Sequence, residues 1–144
     1  MDYEEMKGAY SALFTPFTRD NRLNTEMVGR LVEHQLGSGL RGFFVAGSTG
    51  EGMLMTLEER KTLLEAVIHA NRGRGKIIAH VGAVRTEDSV ALARHAADAG
   101  ADWVSSVPPV YFSQTFEGTL YHYRAIAEAT DLPFMVYAFR TTVE

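Results

Sequence analysis

Short apolar segments alternate with longer segments of helical periodicity four times along the chain, and a fifth apolar segment follows. The apolar segments cover residues 8–14, 42–46, 76–82, 101–107 and 132–137. Short, nearly unbroken apolar runs are typical of strands that are covered on both faces. Because a strand followed by a helix and another strand forms a right-handed crossover, the alternation predicts a parallel sheet in an α/β fold.

Two architectures accommodate this alternation: a doubly wound open sheet, or part of a (β/α)8 barrel. A complete barrel needs about 250 residues, and this chain has 144 residues, of which 46% are hydrophobic. That content suffices for one core, while the length is too short for two ordinary domains. We therefore expect residues 1–144 to form a single domain, which in the barrel case is an incomplete one.

Capping signals predict where the helices begin. Asn24 or Thr25 precedes the first helix, and Thr56 with Glu59 forms a capping box in which each side chain binds the other's free backbone N–H. In that second helix the predicted buried stripe is Leu57, Leu64, Val67 and Ile68, and the predicted solvent side is Glu58, Glu59, Arg60 and Lys61. Thr86 is predicted to cap the third helix, which packs through Val90, Ala93, Ala96 and Ala97.

The second apolar segment ends abruptly in Gly47-Ser48-Thr49-Gly50-Glu51-Gly52. Glycines allow a sharp turn that leaves backbone N–H groups open, and the two hydroxyls can donate to a carboxylate, so the loop is a candidate anion site. It lacks the lysine of a phosphate-binding P-loop and the spacing of a dinucleotide fingerprint. Glu51 is expected to brace the turn.

Two other interpretations of this loop remain open. The glycines could serve only the geometry of a strand-to-helix turn. The run from Ala46 to Gly50 also approaches a nucleophile elbow, with Ser48 as the nucleophile of a serine hydrolase. That function needs a histidine, an acid and a helix that begins at once, whereas several residues separate Gly50 from the cap at Thr56.

Charge and composition exclude several classes of partner. The formal net charge is −4, from 14 basic and 18 acidic residues without a basic cluster, which argues against nucleic acid or an anionic membrane. No apolar run approaches the roughly 20 residues of a membrane span, and the acidic N-terminus is unlike a signal peptide. The absence of cysteine fits a reducing cytoplasm. The five histidines lack metal-ligand spacing, so we expect no metal, and His80, on a strand, is expected to be hydrogen-bonded and structural.

Several motifs, in order and at matching spacing, resemble the dihydrodipicolinate synthase / N-acetylneuraminate lyase family. They are Ala12-Leu13-Phe14-Thr15-Pro16-Phe17, Gly47-Ser48-Thr49-Gly50-Glu51, Leu57-Glu58-Glu59-Arg60, Ile78-Ala79-His80-Val81-Gly82-Ala83, Ala99-Gly100-Ala101-Asp102, Pro109-Val110-Tyr111 and Leu132-Pro133-Phe134-Met135-Val136-Tyr137. The resemblance covers nearly the whole chain and favours the barrel over the open sheet, with these residues as its N-terminal half. The segments around Ser48 and His80 look more like the sialic-acid lyase side of the family.

The resemblance implies a pyruvate-dependent class I aldolase that needs no cofactor. It implies that the loop, through Gly47, Ser48, Thr49 and Gly50, holds the carboxylate of pyruvate or a related 2-keto acid, and that Tyr137 transfers protons. Tyr111 matches a tyrosine that completes the proton relay across a subunit interface in some members. An equally open interpretation of Tyr111 is an aromatic residue that packs its own loop.

The resemblance also implies a lysine on strand six that forms the Schiff base with pyruvate. Only Lys7, Lys61 and Lys76 are present, and none is predicted at the right end of the barrel. We therefore expect this chain to be inactive on its own as an aldolase. The alternative is a non-catalytic 2-keto-acid-binding or structural half-barrel. Arg140 lies near a substrate-binding arginine of some members, but two residues too early.

The same implied half-barrel has exposed strand edges. Strands one and five would be open, and side chains meant for the barrel interior would face water. We therefore expect a homo-oligomer or a complementing half-barrel as partner.

Overall fold

The computed structural model describes residues 3–138, which form five strands and four α-helices in strict alternation. The strands are β1 (Tyr10–Ala12), β2 (Gly42–Val45), β3 (Lys76–His80), β4 (Trp103–Ser106) and β5 (Phe134–Val136). The helices are α1 (Thr25–Gly37), α2 (Leu57–Asn71), α3 (Thr86–Ala99) and α4 (Phe116–Ala127). Short 3-10 helices cover Tyr3–Met6 and Gly52–Leu54.

The five strands form one parallel sheet in the order β1-β2-β3-β4-β5. A doubly wound sheet reverses its strand order at a switch point, whereas a barrel adds each strand beside the previous one. The order is sequential, and consecutive helices pack against each other along one face of the sheet. The architecture is therefore the N-terminal half of a (β/α)8 barrel, as the sequence predicted.

Apolar side chains between the sheet and the helices form the core. Phe43 and Val45 of β2 and Ile77 and Ala79 of β3 are buried against the helices, together with Val104 of β4. The helices contribute Val28, Val32, Leu63, Leu64, Val67, Ala93, Ala96 and Ile126. Because side chains alternate along a strand, the residues between these point to the other face, which is the interior face of the barrel.

The interior face is filled at the N-terminal ends of the strands. The rings of Tyr10 and Trp103 meet edge to face at 6.4 Å, and the amine of Lys76 lies 5.3 Å from the Trp103 ring centre. Trp103 is only 3% exposed. The open part of the interior face therefore lies at the C-terminal ends of the strands.

Two predicted helix caps are confirmed, and two other predictions about the helices were wrong. Asn24 caps α1, and the Thr56–Glu59 capping box is complete. The prediction that Thr86 caps α3 was wrong: Arg85 is the cap residue, and the Thr86 hydroxyl lies 3.0 Å from Nδ1 of His122. Arg60, predicted on the solvent side of α2, is 4% exposed.

Each strand is also shorter than the apolar run that predicted it. The segment 8–14, for example, pairs with β2 only over Tyr10–Ala12. Backbone hydrogen bonds to the neighbouring strand continue one residue beyond β1, β3 and β5, where the N–H groups of Leu13, Val81 and Tyr137 donate to the carbonyls of Phe44, Ser105 and Ser106.

The α-helices of the described range 3–138 are all too short or too polar to cross a lipid bilayer.

Candidate active site at the C-terminal ends of the strands

The loop that follows β2 folds tightly, and its backbone requires small residues. Ala46 and Glu51 adopt left-handed backbone angles, with φ of 58° and 56°. A Cβ atom on Gly52 would lie 1.8 Å from the carbonyl oxygen of Ala46, and one on Gly50 would lie 2.7 Å from the Leu13 carbonyl oxygen. Glycine at positions 50 and 52 therefore allows the loop to pack against its own start and against the end of β1.

The loop is held by its own backbone and by neighbouring segments. The backbone N–H groups of Glu51 and Gly52 donate to the carbonyls of Ser48 and Gly47, at 3.1 Å each. The Thr15 hydroxyl, just after β1, donates to the Gly50 carbonyl at 2.6 Å. The side chain of Glu51 makes no capping hydrogen bond, so what this residue contributes to the turn is its backbone conformation.

The tip of the loop presents donors without acceptors. Within residues 3–138, nothing accepts a hydrogen bond from the backbone N–H groups of Ser48, Thr49 or Gly50, or from the two side-chain hydroxyls. Both hydroxyl-bearing residues are exposed. Consecutive N–H groups with adjacent hydroxyls form a concave donor surface that suits a small anion such as a carboxylate.

The loop borders a cleft of about 200 Å³ that also contains Tyr137. The cleft is lined by Tyr10, Ala12, Phe44, Gly47, Ser48, Thr49, Gly50, His80, Val107 and Tyr137. The Tyr137 N–H donates to the Ser106 carbonyl at 2.9 Å, and its ring lies 6.2 Å from the ring of Phe44. The five predicted residues Gly47, Ser48, Thr49, Gly50 and Tyr137 thus lie around one cleft.

Tyr111 lies away from that cleft. It follows β4, is 76% exposed, and packs edge to face against Phe112 with ring centres 4.7 Å apart. Within this chain the structure therefore places Tyr111 on the surface. Arg140 falls outside the described residues.

His80 lines the cleft as a buried, neutral imidazole. Its Nδ1 lies 3.1 Å from the carbonyl oxygen of Ala46, and its Nε2 lies 3.4 Å from the Val107 backbone nitrogen. A carbonyl only accepts and an amide N–H only donates, so Nδ1 carries the proton and Nε2 does not. Burial, with the charge of Arg60 as a second cause, lowers the His80 pKa to about 4. With both nitrogens engaged, this imidazole is no base for Ser48.

Arg60 fixes the end of β3 from the helix side. Its guanidinium donates to the carbonyls of His80 and Gly82 at 2.6 and 2.8 Å. Burial lowers the Arg60 pKa to about 10, so the group remains charged at neutral pH. This buried cation holds the backbone of His80 in place.

A second depression, of about 260 Å³, lies at the opposite end of the sheet and contains Arg41, Arg74, Lys76 and Asp102. Two of its three cations are neutralised: Lys76 pairs with Asp102 at 2.6 Å, and Arg74 pairs with Glu33. Barrel enzymes carry their chemistry at the C-terminal ends of the strands. The cleft beside Ser48 and Tyr137 is therefore the candidate active site.

Sequence reasoning missed two residues of this site. Thr15 stood in a recognised motif but received no role, although the ends of adjacent parallel strands meet at one edge of a sheet. His80 was expected to be hydrogen-bonded, which is confirmed, but its position on the cleft was not foreseen. The alternation of side chains along β3 could have placed it there.

Residues 3–138 place the chain in the class of (β/α)8-barrel folds, as an N-terminal half-barrel with a loop of unpaired hydrogen-bond donors and a tyrosine at the C-terminal ends of its strands. Comparison with known proteins gives the family. Residues 5–144 match the Dihydrodipicolinate synthetase family, and the chain belongs to that family.

Three relatives illustrate the match. The chain is 41% identical to an N-acetylneuraminate lyase of Rhizobium meliloti (strain 1021) over 135 residues, which are 94% of this chain and 45% of the relative. It superimposes with a TM-score of 0.94 on a catalytic lysine mutant of the Ruminococcus gnavus sialic acid aldolase (31% identity, 98% of this chain, 47% of that one). With a TM-score of 0.90 it matches YagE, a prophage protein of the dihydrodipicolinic acid synthase family from E. coli K12 in complex with pyruvate (27% identity, 94% and 45% coverage).

The chain spans about half the length of the curated relatives it matches. The segments that resembled the sialic-acid lyase side of the family agree with relatives named N-acetylneuraminate lyase at 41% and 43% identity.

Proposed function

We propose that this chain is the pyruvate-binding part of a Schiff-base carbon–carbon lyase. In this proposal the loop after β2 binds the carboxylate of pyruvate or a related 2-keto acid through the N–H groups and hydroxyls of Ser48 and Thr49. Tyr137, across the same cleft, moves the proton as the carbon–carbon bond is cleaved or formed. The aldehyde fragment of a cleaved sugar acid leaves from the open side of the cleft.

One observation carries this proposal: donors without acceptors and a phenol face one cleft. A carboxylate can accept several hydrogen bonds at once from N–H and O–H groups that are held in place before it binds. A phenol is a poor base in water but can act inside a site where its proton passes on through neighbouring hydroxyls. The E. coli relative bound to pyruvate supports the choice of ligand.

The proposal assigns no Schiff base to the three lysines of this sequence. Lys7 pairs with Glu4 and Lys61 with Glu58, each at 2.6 Å. Lys76 pairs with Asp102 at 2.6 Å, at the N-terminal end of β3. A nucleophilic amine must be neutral and close to the keto carbon, whereas pairing with a carboxylate favours the charged form. The Ruminococcus gnavus relative is described as a catalytic lysine mutant, which shows that this relative uses a lysine in catalysis.

Calorimetry with pyruvate tests the binding step. We expect the chain to bind pyruvate and Thr49→Val to weaken binding about five- to tenfold, because one hydroxyl donor to a charged group is lost. Thr62→Val, on the exposed side of α2, is the matched control and should leave the affinity unchanged. Equal affinity in the Thr49 variant and the unmodified chain would contradict the assignment of the loop.

Reduction with borohydride in the presence of pyruvate tests the lysine assignment. We expect the mass of the unmodified chain to stay constant, because the amines are paired away from the cleft. A covalent pyruvyl adduct on Lys7, Lys61 or Lys76 would contradict the proposal. Peptide mapping identifies the residue.

A further inference from the structure

His80 is the single side chain of the described residues that hydrogen-bonds the backbone at the ends of both β2 and β4. On one side it reaches the Ala46 carbonyl, where the carboxylate-binding loop starts. On the other side it reaches the Val107 N–H, just past the end of β4. The imidazole therefore spans the space between the loop and the strand next to the one that carries Tyr137.

The Ala46 end of this contact is where the loop takes its unusual path. Ala46 has φ of 58°, a left-handed conformation that residues with a Cβ seldom adopt. Such a conformation persists when surrounding contacts hold it. A hydrogen bond from Nδ1–H to the carbonyl of the same residue fixes the orientation of its peptide group, and with it the direction in which the next residues leave the strand.

The Val107 end connects to the tyrosine. The Ser106 carbonyl, one residue before Val107, accepts the Tyr137 N–H at 2.9 Å. The ring of Phe44 neighbours both side chains: its centre lies 5.9 Å from the centre of the His80 ring and 6.2 Å from that of the Tyr137 ring. A shift of Val107 would therefore move the backbone that orients Tyr137.

We propose that His80, as the Nδ1–H tautomer, is a positioning residue that sets the carboxylate-binding loop and the Tyr137 backbone at a fixed separation. It touches neither the carboxylate nor the proton in transfer. Arg60 supports it by holding the His80 carbonyl at 2.6 Å. The effect on ligand binding rests on the proposed function, whereas the two hydrogen bonds and their tautomer do not.

Two variants separate the two ends of the contact. In His80→Asn the side-chain amide nitrogen lies near the Nδ1 position and can donate to the Ala46 carbonyl, but nothing reaches Val107. In His80→Gln the longer side chain places an oxygen near the Nε2 position, where it can accept from Val107 and leaves Ala46 without a donor. His69→Gln, on the exposed part of α2, is the matched control.

Hydrogen exchange of single amides tests the proposal, because each variant should lose protection at one end of the His80 contact and keep it at the other. In His80→Asn the protection of the Glu51 and Gly52 amides should persist while that of Val107 falls. In His80→Gln the protection of Val107 should persist while that of the loop amides falls. A uniform loss at both ends in both variants would mean that His80 only stabilises the fold, and it would overturn the proposal.

The ring tautomer of the unmodified chain provides a test that needs no variant. Long-range ¹H–¹⁵N NMR spectra should show His80 with a protonated Nδ1 and a bare Nε2. A proton on Nε2 would overturn the proposal, because that nitrogen could not accept from Val107.

Pyruvate affinity of the same variants links the contact to binding. We expect His80→Gln to weaken binding about five- to tenfold and His80→Asn to stay close to the unmodified chain. The two proposals fail differently. If the crossed exchange pattern appears but pyruvate does not bind the unmodified chain, the proposed function is wrong and the positioning role stands. If pyruvate binds but exchange is uniform, the positioning role is wrong.

Discussion

At the scale of single residues, Gly52 determines whether the loop after β2 can close. The carbonyl of Ala46 occupies the space that a Cβ atom would need, at 1.8 Å. Because the obstacle is backbone, it cannot rotate away as a flexible side chain could. The donors at the tip of the loop depend on this packing.

We predict that Gly52→Ala destabilises the chain by about 2 kcal/mol or more, because the backbone must shift to admit the methyl group. It should also abolish pyruvate binding. Denaturant unfolding measures the first effect and calorimetry the second. Gly29→Ala in α1, where a Cβ meets nothing within 4 Å, is the control and should be neutral or stabilising. Similar stabilities for the two variants would refute the close approach.

The buried neutral His80 predicts how stability changes with pH. Its pKa is about 4 in the folded chain against an ordinary value of 6.5, so the unfolded chain binds more protons between these values. The free energy of unfolding should therefore be highest above pH 6.5 and fall as the pH drops towards 4, by roughly 3 kcal/mol in all. The His122 pKa is lowered too, in the same direction.

Urea unfolding at several pH values between 4 and 7.5 measures this slope. In His80→Gln, which cannot titrate, the slope should be shallower than in the unmodified chain. The prediction fails if both proteins lose stability equally over this range.

At the scale of elements, α2 begins with a complete capping box. The Thr56 hydroxyl accepts from the Glu59 N–H at 3.2 Å, and the Glu59 carboxylate accepts from the Thr56 N–H at 2.8 Å. Thr56→Ala should lower the free energy of unfolding by about 1 kcal/mol, because the helix loses one cap acceptor. Thr62→Ala, on the exposed side of the same helix, should have little effect. Equal losses in thermal or urea unfolding would argue against the cap.

The helices and strands were largely predicted from short-range patterns in the sequence. Turn glycines, caps and apolar runs gave the type and order of the elements, because these signals act within a few residues. The order of elements left two architectures open, a doubly wound sheet and part of a barrel, and the resemblance of the motifs to a known family favoured the barrel.

The failures came from contacts between distant residues. Arg60 has the charge of a surface residue, yet it is buried because carbonyls 20 and 22 residues away accept its hydrogen bonds. Thr86 is a good cap by type, but it pairs with His122 on α4. Such partners leave no periodic pattern in the sequence.

In the candidate site, too, the residues in local motifs were predicted from the sequence, and the residues that act through distant contacts were not. The glycine-hydroxyl loop and the tyrosine after β5 were identified from their motifs, and the parallel sheet brings them to one edge. The roles of Thr15 and His80 depend on the path of the loop, which no local pattern specifies. Tyr111 lies on the surface in a single chain, so its predicted role across a subunit interface remains a prediction.

At the scale of the whole molecule, the sheet has open edges within residues 3–138, because β1 pairs with β2 alone and β5 with β4 alone. Val136 on β5 is 56% exposed. Unpaired edge strands favour pairing with another chain. We therefore predict self-association at micromolar concentration, measured by sedimentation velocity.

Val136→Lys should reduce this association, because a charge on an edge strand opposes pairing. Val84→Lys, in the exposed loop before α3, is the control. A compact monomer at every concentration tested would contradict the prediction.

The proposed function depends on the binding of a 2-keto acid in the cleft beside Ser48, Thr49 and Tyr137. The most direct measurement is an NMR titration of the ¹⁵N-labelled chain with pyruvate. We predict that the amide signals of residues 48–50 and of Tyr137 shift together and saturate at one common dissociation constant. Unchanged spectra, or shifts confined to the depression around Arg41, Arg74 and Lys76, would contradict it.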